Sequence, residues 1–264
     1  AKISKAAKAL KPLAGYPAVP AGAGYRFGPV PAWVRSPPAA SSAAAPVASG
    51  AKARRELLVD MQTLLGPRDT QHFFRLHSVA LDSSTPREVS EPQISFNPAY
   101  QSLLIHSVQV LRAGQRSDRL KDARIELMRR EQQLERQMID GVRTALVVLS
   151  DVRVGDVVEL AYTLEGENPI FENRFSTLLQ LASDAPIDLL HLRIEAPPGR
   201  QLATRGIATE LQPERFEEGG RQVLRLLREN LPAVQDEAGT PPWFKVYPAL
   251  QVSEYASWAE VDQW

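Results

Sequence analysis

The stretch RELLVDMQTLLGPRDTQHFFRLHSVA, residues 55–80, decides how this sequence folds. Leu57, Val59 and Met61 share one face while Asp60 and Gln62 lie on the other, which is the period of two expected for a strand with one apolar face. The turn sequence Gly66-Pro67-Arg68-Asp69 follows, and alternation resumes with Phe74 and Leu76. Residues 55–80 therefore predict a β-hairpin.

Further segments repeat the pattern, and each is bounded by a turn rich in glycine, proline or aspartate. They are residues 104–110, 158–164 and 190–195. Short strands separated by turns predict an all-β fold, namely an antiparallel two-sheet β-sandwich with long loops and at most one or two short helices. Residues 117–138 fit both a strand and a helix, and we predict a strand to about Met128 followed by a short helical or irregular segment.

The balance of charge excludes one class of partner. The 264 residues contain 31 Lys and Arg and 31 Asp and Glu, so the formal net charge is +0. Such a chain has no long-range attraction for nucleic acid. No window approaches the ~20 apolar residues that a membrane-spanning helix needs, so we predict no transmembrane segment.

The chain has no cysteine, which excludes disulfides, thiolate metal sites and a cysteine nucleophile within these residues. His72 shares a strand face with Phe74 and Leu76, and His106 shares one with Leu104 and Val108, so both are predicted to lie in or beside the core. His77 and His191 share their faces with charged residues and are predicted to lie on solvated strand faces. There is no Gly-x-Ser-x-Gly element, phosphate-binding loop or paired-histidine motif. We therefore predict no catalytic residue, metal or cofactor.

Five aromatic residues are candidates for a binding or interdomain surface. Trp243, Phe244 and Tyr247 follow two prolines, and they either form a site for a glycan or peptide or pack on the core. Trp258 and Trp264 lie on a short helix that Ser257 is predicted to cap, with Glu260 three residues later. We expect this helix to begin a further domain, because one or two turns need packing partners to be stable.

Several motifs occur in an order that resembles the bacterial domain of unknown function found ahead of a transglutaminase-like domain. The resemblance covers about residues 25–264, and Val154-Gly155-Asp156 is its most specific part. The motifs are Pro31-Ala32-Trp33-Val34, Leu57-Leu58-Val59-Asp60, Phe96-Asn97-Pro98-Ala99-Tyr100-Gln101, Arg130-Glu131, Ile139-Asp140-Gly141, Asp151-Val152-Arg153-Val154-Gly155-Asp156-Val157-Val158-Glu159, Asn230-Leu231-Pro232-Ala233 and Tyr255-Ala256-Ser257-Trp258-Ala259.

The resemblance implies a domain organisation and a role. Residues 25–252 would be the β-sandwich and residues 253–264 the start of a helix into a transglutaminase-like domain, while residues 1–24, rich in Ala, Lys, Pro and Gly, are predicted from their composition to be a flexible lead-in. The family's catalytic cysteine, histidine and aspartate belong to that second domain. The expected role is then non-catalytic, namely positioning, shielding or recruiting substrate for a cysteine hydrolase in the same protein of the bacterial periplasm. An independent glycan- or peptide-binding module and a serine-dependent hydrolase remain the alternatives.

Overall fold

The computed structural model describes residues 14–17, 19, 24–39, 54–67, 69–83, 86–129, 141–235, 246–255 and 257–264. These residues form fifteen strands and two short helices, which confirms the prediction of a β fold with at most two helices. The strands are β1 (Tyr25–Phe27), β2 (Arg54–Leu65), β3 (Thr70–Ala80), β4 (Gln93–Phe96), β5 (Ser102–Arg112), β6 (Gln115–Asp118), β7 (Arg124–Arg129), β8 (Arg143–Val148), β9 (Val157–Glu165), β10 (Ser176–Gln180), β11 (Ile187–Ala196), β12 (Ala203–Ile207), β13 (Glu214–Glu218), β14 (Arg221–Leu231) and β15 (Ala249–Ser253). The helices are α1 (Pro86–Ser90) and α2 (Trp258–Gln263).

Nine strands form one large sheet in the order β1-β5-β9-β3-β2-β11-β14-β13, with β6 added beside β5. The predicted hairpin of residues 55–80 is confirmed as the antiparallel pair β2 and β3. The sheet as a whole is mixed, because β1 runs parallel to β5 and β2 runs parallel to β11. The prediction of purely antiparallel sheets is therefore wrong for these two pairs. Alternation of side chains shows which residues share a face but carries no information about strand direction.

Two three-stranded antiparallel sheets complete the fold, with the orders β10-β15-β12 and β4-β8-β7. The described residues thus form three sheets, where the sequence predicted two. One apolar cluster joins β5 and β9 to β4 and β8, with Phe96, Ile105 and Val147 among its buried members. A second cluster joins β11 and β14 to β15, with Leu190 and Val252 among its members. Each small sheet therefore shares its own part of the core with the large sheet.

The strand predicted to end near Met128 is confirmed as β7, and the helical or irregular segment expected after it lies outside the described residues. Most of the predicted lead-in, residues 1–24, also lies outside them. The predicted cap of the last helix is confirmed, because the Ser257 side chain accepts a hydrogen bond from the Glu260 backbone N–H. No described helix combines the length and hydrophobicity needed to cross a bilayer.

A segment without regular structure, residues 28–35, hydrogen-bonds to side chains of one face of the large sheet; we call it the strap. Nδ1 of His106 lies 2.9 Å from the Gly28 carbonyl oxygen, and the Trp33 indole N–H donates to Gln71 over 2.7 Å. The Gln62 amide accepts from the Arg35 N–H and donates to the Arg35 carbonyl. The residues of the strap belong to no strand, as expected where prolines lack the N–H that a sheet ladder needs.

Candidate functional site

A cavity of about 390 Å³ lies where the sheet β10-β15-β12 meets α2. All three strands contribute to its lining, through Ser176 of β10, Gln251 of β15 and Arg205 of β12. The rings of Phe171, Tyr255 and Trp264 also line it. A cavity with apolar walls and a few polar groups from different elements is the usual form of a ligand site.

The three rings form a cluster around the indole of Trp264. This indole stacks on Phe171 with the ring centroids 5.8 Å apart and meets Tyr255 edge-on at 6.1 Å. Its N–H donates a hydrogen bond to the Ile170 carbonyl oxygen over 2.8 Å. Half of Trp264 remains exposed, at 50%. Aromatic side chains with fixed polar atoms provide large, rigid contact surfaces.

Charged residues fix the segment that carries Tyr255. The guanidinium of Arg174 lies 4.9 Å from the centre of the Tyr255 ring, and it also pairs with Glu260 of α2 at 3.4 Å. Arg200 forms an ion pair with the neighbouring Glu254. Burial alone would raise the pKa of Glu254, but hydrogen bonds from Arg200 and from the Phe175 N–H outweigh it and lower this pKa. Glu254 is therefore held as a carboxylate, which keeps the approach to the cavity in one conformation.

Two polar groups beside the cavity lack partners among the described residues. Arg205 is exposed and makes no ion pair with another described residue. The hydroxyl of Tyr255 is buried and accepts or donates no hydrogen bond within the described part of the chain. Arg205 is therefore available to pair with a ligand, whereas the Tyr255 hydroxyl is an exception to the rule that buried polar atoms are paired.

A second concentration of polar groups lies on the face of the large sheet that contacts the strap. Nδ1 of His191 on β11 lies 2.8 Å from Oδ1 of Asp60 on β2, and both residues are buried. Arg193 and Glu195, also on β11, form a buried ion pair at 2.9 Å. The prediction that His191 lies on a solvated face is therefore wrong. The reason is that β11 is an interior strand of the large sheet, so a polar side chain on it can be covered and paired.

The other histidines occupy packed positions. His106 is buried as predicted, and burial lowers its pKa. His77 is partly buried beside Glu159, and burial is the main cause of its lowered pKa. His72 lies between Thr63, at 3.1 Å, and Glu167, at 3.6 Å. This is a chain of hydroxyl, imidazole and carboxylate, but Thr63 is only 5% exposed, and the His72 ring packs against Phe175. The described residues contain no group of three or more His, Cys, Asp or Glu side chains suited to a metal ion.

The five aromatic residues predicted as a surface have different positions. Trp264 lines the cavity. Trp258 begins α2, and its side chain lies outside the described part of the structure, as do Trp243 and Phe244. Tyr247 is partly buried and does not line the cavity. The predicted grouping of residues 243–247 as a ligand site is therefore not tested by the described residues.

Sequence reasoning missed most of the cavity lining, including Phe171, Arg205 and Tyr255. Phe171 ends a short 3-10 turn that begins after the capping residue Asn168. This local pattern predicts a turn but does not indicate a binding site. Arg205 is one of many arginines in the sequence. Tyr255 was part of a recognised motif, but that motif did not indicate its edge-on contact with Trp264.

Comparison with known proteins identifies the family. The model of the domain of unknown function DUF3857 matches residues 70–235, which is more than half of the chain. This chain belongs to the DUF3857 family. Membership confirms the sequence-based resemblance to a domain of unknown function, while the link to a transglutaminase-like domain stays a prediction. None of the curated proteins matches the chain.

A solved structure shares the fold of this DUF3857 chain, and two others are more distantly similar. A protein from Parabacteroides distasonis, proposed to be a protease, matches with a TM-score of 0.69 and 18% identity over 80% of this chain and 43% of its own. A two-domain M1 zinc metallopeptidase matches with a TM-score of 0.39 and 13% identity, over 78% of this chain and 44% of its own. Yeast LTA4 hydrolase matches with a TM-score of 0.37 and 11% identity, over 76% of this chain and 28% of its own. The chain thus spans less than half the length of these proteins.

Proposed function

We propose that this chain is a non-catalytic N-terminal domain that positions or shields a transglutaminase-like cysteine hydrolase domain in the same protein and helps to recruit its substrate. The observation that carries the proposal is the extent of the similarity in fold. It covers 80% of this chain but only 43% of the protein from P. distasonis, so a DUF3857-like fold accounts for a minority of that longer polypeptide. A periplasmic location is part of the same proposal.

The surface beside α2 supports a contact with a second domain. The exposed fractions of Ile170, Leu178 and Trp264 are 57%, 50% and 50%. Few other large apolar side chains among the described residues are as exposed. Ile170 and Trp264 are joined by the hydrogen bond between them. Exposed apolar side chains that lie together commonly mark protein contacts.

The test compares the isolated hydrolase domain with the longer polypeptide that contains both domains. We expect the hydrolase domain to unfold at a higher temperature, or to have a higher kcat/KM, when the DUF3857 domain is attached. Ile170→Ser in the longer polypeptide should reduce the gain, whereas Val154→Ser, which alters an exposed valine in the turn before β9, should not. Equal stability and equal activity of the two forms would contradict a supporting role.

The second candidate is an independent glycan- or peptide-binding module of the bacterial envelope. The observation that favours it is the cavity beside Trp264, which offers three rings and polar side chains from three strands. A binding module needs no second domain, so ligand binding by the present chain would support it.

A further inference from the structure

We infer that the cavity beside Trp264 binds an extended peptide segment in which a large apolar side chain lies next to a carboxylate. A contact with a second domain would use the same surface, so this inference rests on the second candidate function, the binding module, and is independent of the first. Three features carry it: the aromatic wall, the unpaired Arg205 and the free edge of β10.

The aromatic wall determines what kind of side chain enters. The rings of Phe171, Tyr255 and Trp264 line the cavity, and Val261 of α2 adds an aliphatic side chain to the lining. The stacking of Trp264 on Phe171 and its hydrogen bond to Ile170 fix the indole before any ligand arrives. Preformed aromatic surfaces bind apolar side chains at a low entropic cost. A volume of about 390 Å³ accommodates one large side chain together with its backbone.

Arg205 determines the charge of the ligand. It is the charged residue of the cavity lining, and it has no ion-pair partner among the described residues. The other polar groups of the lining are hydroxyl and amide side chains, including Ser176 and Gln251. An unpaired guanidinium attracts and orients a carboxylate, and no acidic side chain in the lining competes with it.

The edge of the small sheet determines the shape of the ligand. β10 pairs with β15 on one side, and one row of its backbone N–H and C=O groups has no strand partner among the described residues. Ser176 of β10 also lines the cavity, and Leu178 two residues later is half exposed. Extended peptides add to such edges through main-chain hydrogen bonds and place alternate side chains in pockets.

These observations favour a peptide over a saccharide. A saccharide would use the rings and hydroxyl groups of the lining but would leave the open edge of β10 and the exposed Leu178 without a role. A peptide uses the rings, Arg205 and the strand edge together. The experiment below includes saccharides so that the two ligands are distinguished.

The probes are fluorescein-labelled octapeptides of glycine and serine that carry Phe-Glu, Phe-Gln or Ser-Glu at the centre, and binding to the 264-residue protein is measured by fluorescence anisotropy. We expect the Phe-Glu peptide to bind most tightly, with a Kd of about 1 mM or lower. Trp264→Ala should weaken it by about tenfold, since aromatic anchors dominate such interfaces. Arg205→Gln should weaken it by about threefold, as expected for an exposed ion pair, and should leave Phe-Gln binding unchanged.

Matched variants control for general effects. Arg87→Gln removes an exposed arginine of α1, and Val154→Ala trims an exposed apolar residue outside the cavity lining; neither should alter binding. Circular dichroism melting identifies any variant that fails to fold, and Gln251→Leu then provides a second change in the lining. The inference is overturned if the three peptides bind equally, if none binds, if the control variants weaken binding as much as Trp264→Ala, or if chitotriose or cellobiose binds and the peptides do not.

Discussion

Nδ1 of His191 lies 2.8 Å from Oδ1 of Asp60, and this contact connects the neighbouring parallel strands β11 and β2. The two residues are 131 positions apart in the sequence. The exposed fractions are 2% for His191 and 0% for Asp60. Both Asp60 oxygens also accept hydrogen bonds from the Gln62 amide, which in turn pairs with the backbone of Arg35 in the strap. The sheet centre, His191 and the strap are therefore linked through one carboxylate.

Removal of the Asp60 carboxylate tests this link. We expect Asp60→Ala to lower the free energy of unfolding by about 3–5 kcal/mol, because it leaves buried polar partners without an acceptor. Asp60→Asn keeps an acceptor oxygen at nearly the same volume and should cost clearly less. Urea unfolding of the two variants measures both values, and equal losses would show that the hydrogen bond to His191 contributes little.

The Gln62 side chain is predicted to hold the strap on the sheet. Gln62→Leu removes both hydrogen bonds to Arg35 at a buried position, which should cost about 2 kcal/mol of stability. The strap should also become accessible, so limited proteolysis should cut residues 28–39 faster than in the unaltered protein. Gln109→Leu, on β5 of the same sheet, is the control, and an equal rate of cleavage in both variants would refute the assignment.

Asp156 is predicted to give the protein a pH-dependent element of stability. Its carboxylate receives two hydrogen bonds from Arg112, at 2.8 and 2.7 Å, and one from the Arg153 N–H. The Arg112 hydrogen bonds are the main cause of a pKa below the ordinary 3.8. Because the pKa is lower in the folded state, this stabilisation is complete above about pH 4 and is lost as the pH falls through the folded-state pKa.

The corresponding experiment compares the unaltered protein with Asp156→Asn. We expect the variant to be less stable by about 2 kcal/mol at pH 7, because charge-assisted hydrogen bonds are lost. The difference should shrink as the pH falls below 4, since the native carboxylate then becomes protonated. A difference that stays constant from pH 7 down to pH 2 would contradict the role of the ionised group.

Gly166 is predicted to be intolerant of any side chain. Its φ is +112°, and a Cβ placed there would overlap the carbonyl oxygen of Tyr100. Gly199 has a φ of +87° but open space around its Cβ position. Gly199→Ala should therefore cost about 1 kcal/mol from backbone strain alone, while Gly166→Ala should cost about 3 kcal/mol from strain and overlap together. Similar melting temperatures for the two variants would contradict this difference.

Local sequence patterns predicted much of the fold. The alternation and turn residues of 55–80 gave the hairpin of β2 and β3, and Gly155 with Asp156 gave the turn before β9, where Gly155 has a φ of +84°. Ser257 gave the start of α2. These features depend on neighbours within a few positions, which is the range over which a sequence pattern contains structural information.

The parallel pairs and the buried polar face could not be predicted in the same way. The pairing of His191 with Asp60 depends on which strands become neighbours, and a period of two is the same for parallel and antiparallel strands. Charged neighbours such as Arg193 and Glu195 suggest a solvated face unless their pairing is known. For the same reason, the cavity was anticipated only through Trp264, since Phe171 and Arg205 approach it from distant parts of the chain.

Hydrogen–deuterium exchange most directly tests whether this domain supports a second domain through the surface around Trp264. The measurement compares amide exchange of residues 169–180 and 257–264 in the present chain and in the longer two-domain polypeptide. We predict slower exchange of both segments in the longer polypeptide, with unchanged exchange in β7, which belongs to another sheet. Equal exchange in the two proteins would contradict a contact at this surface.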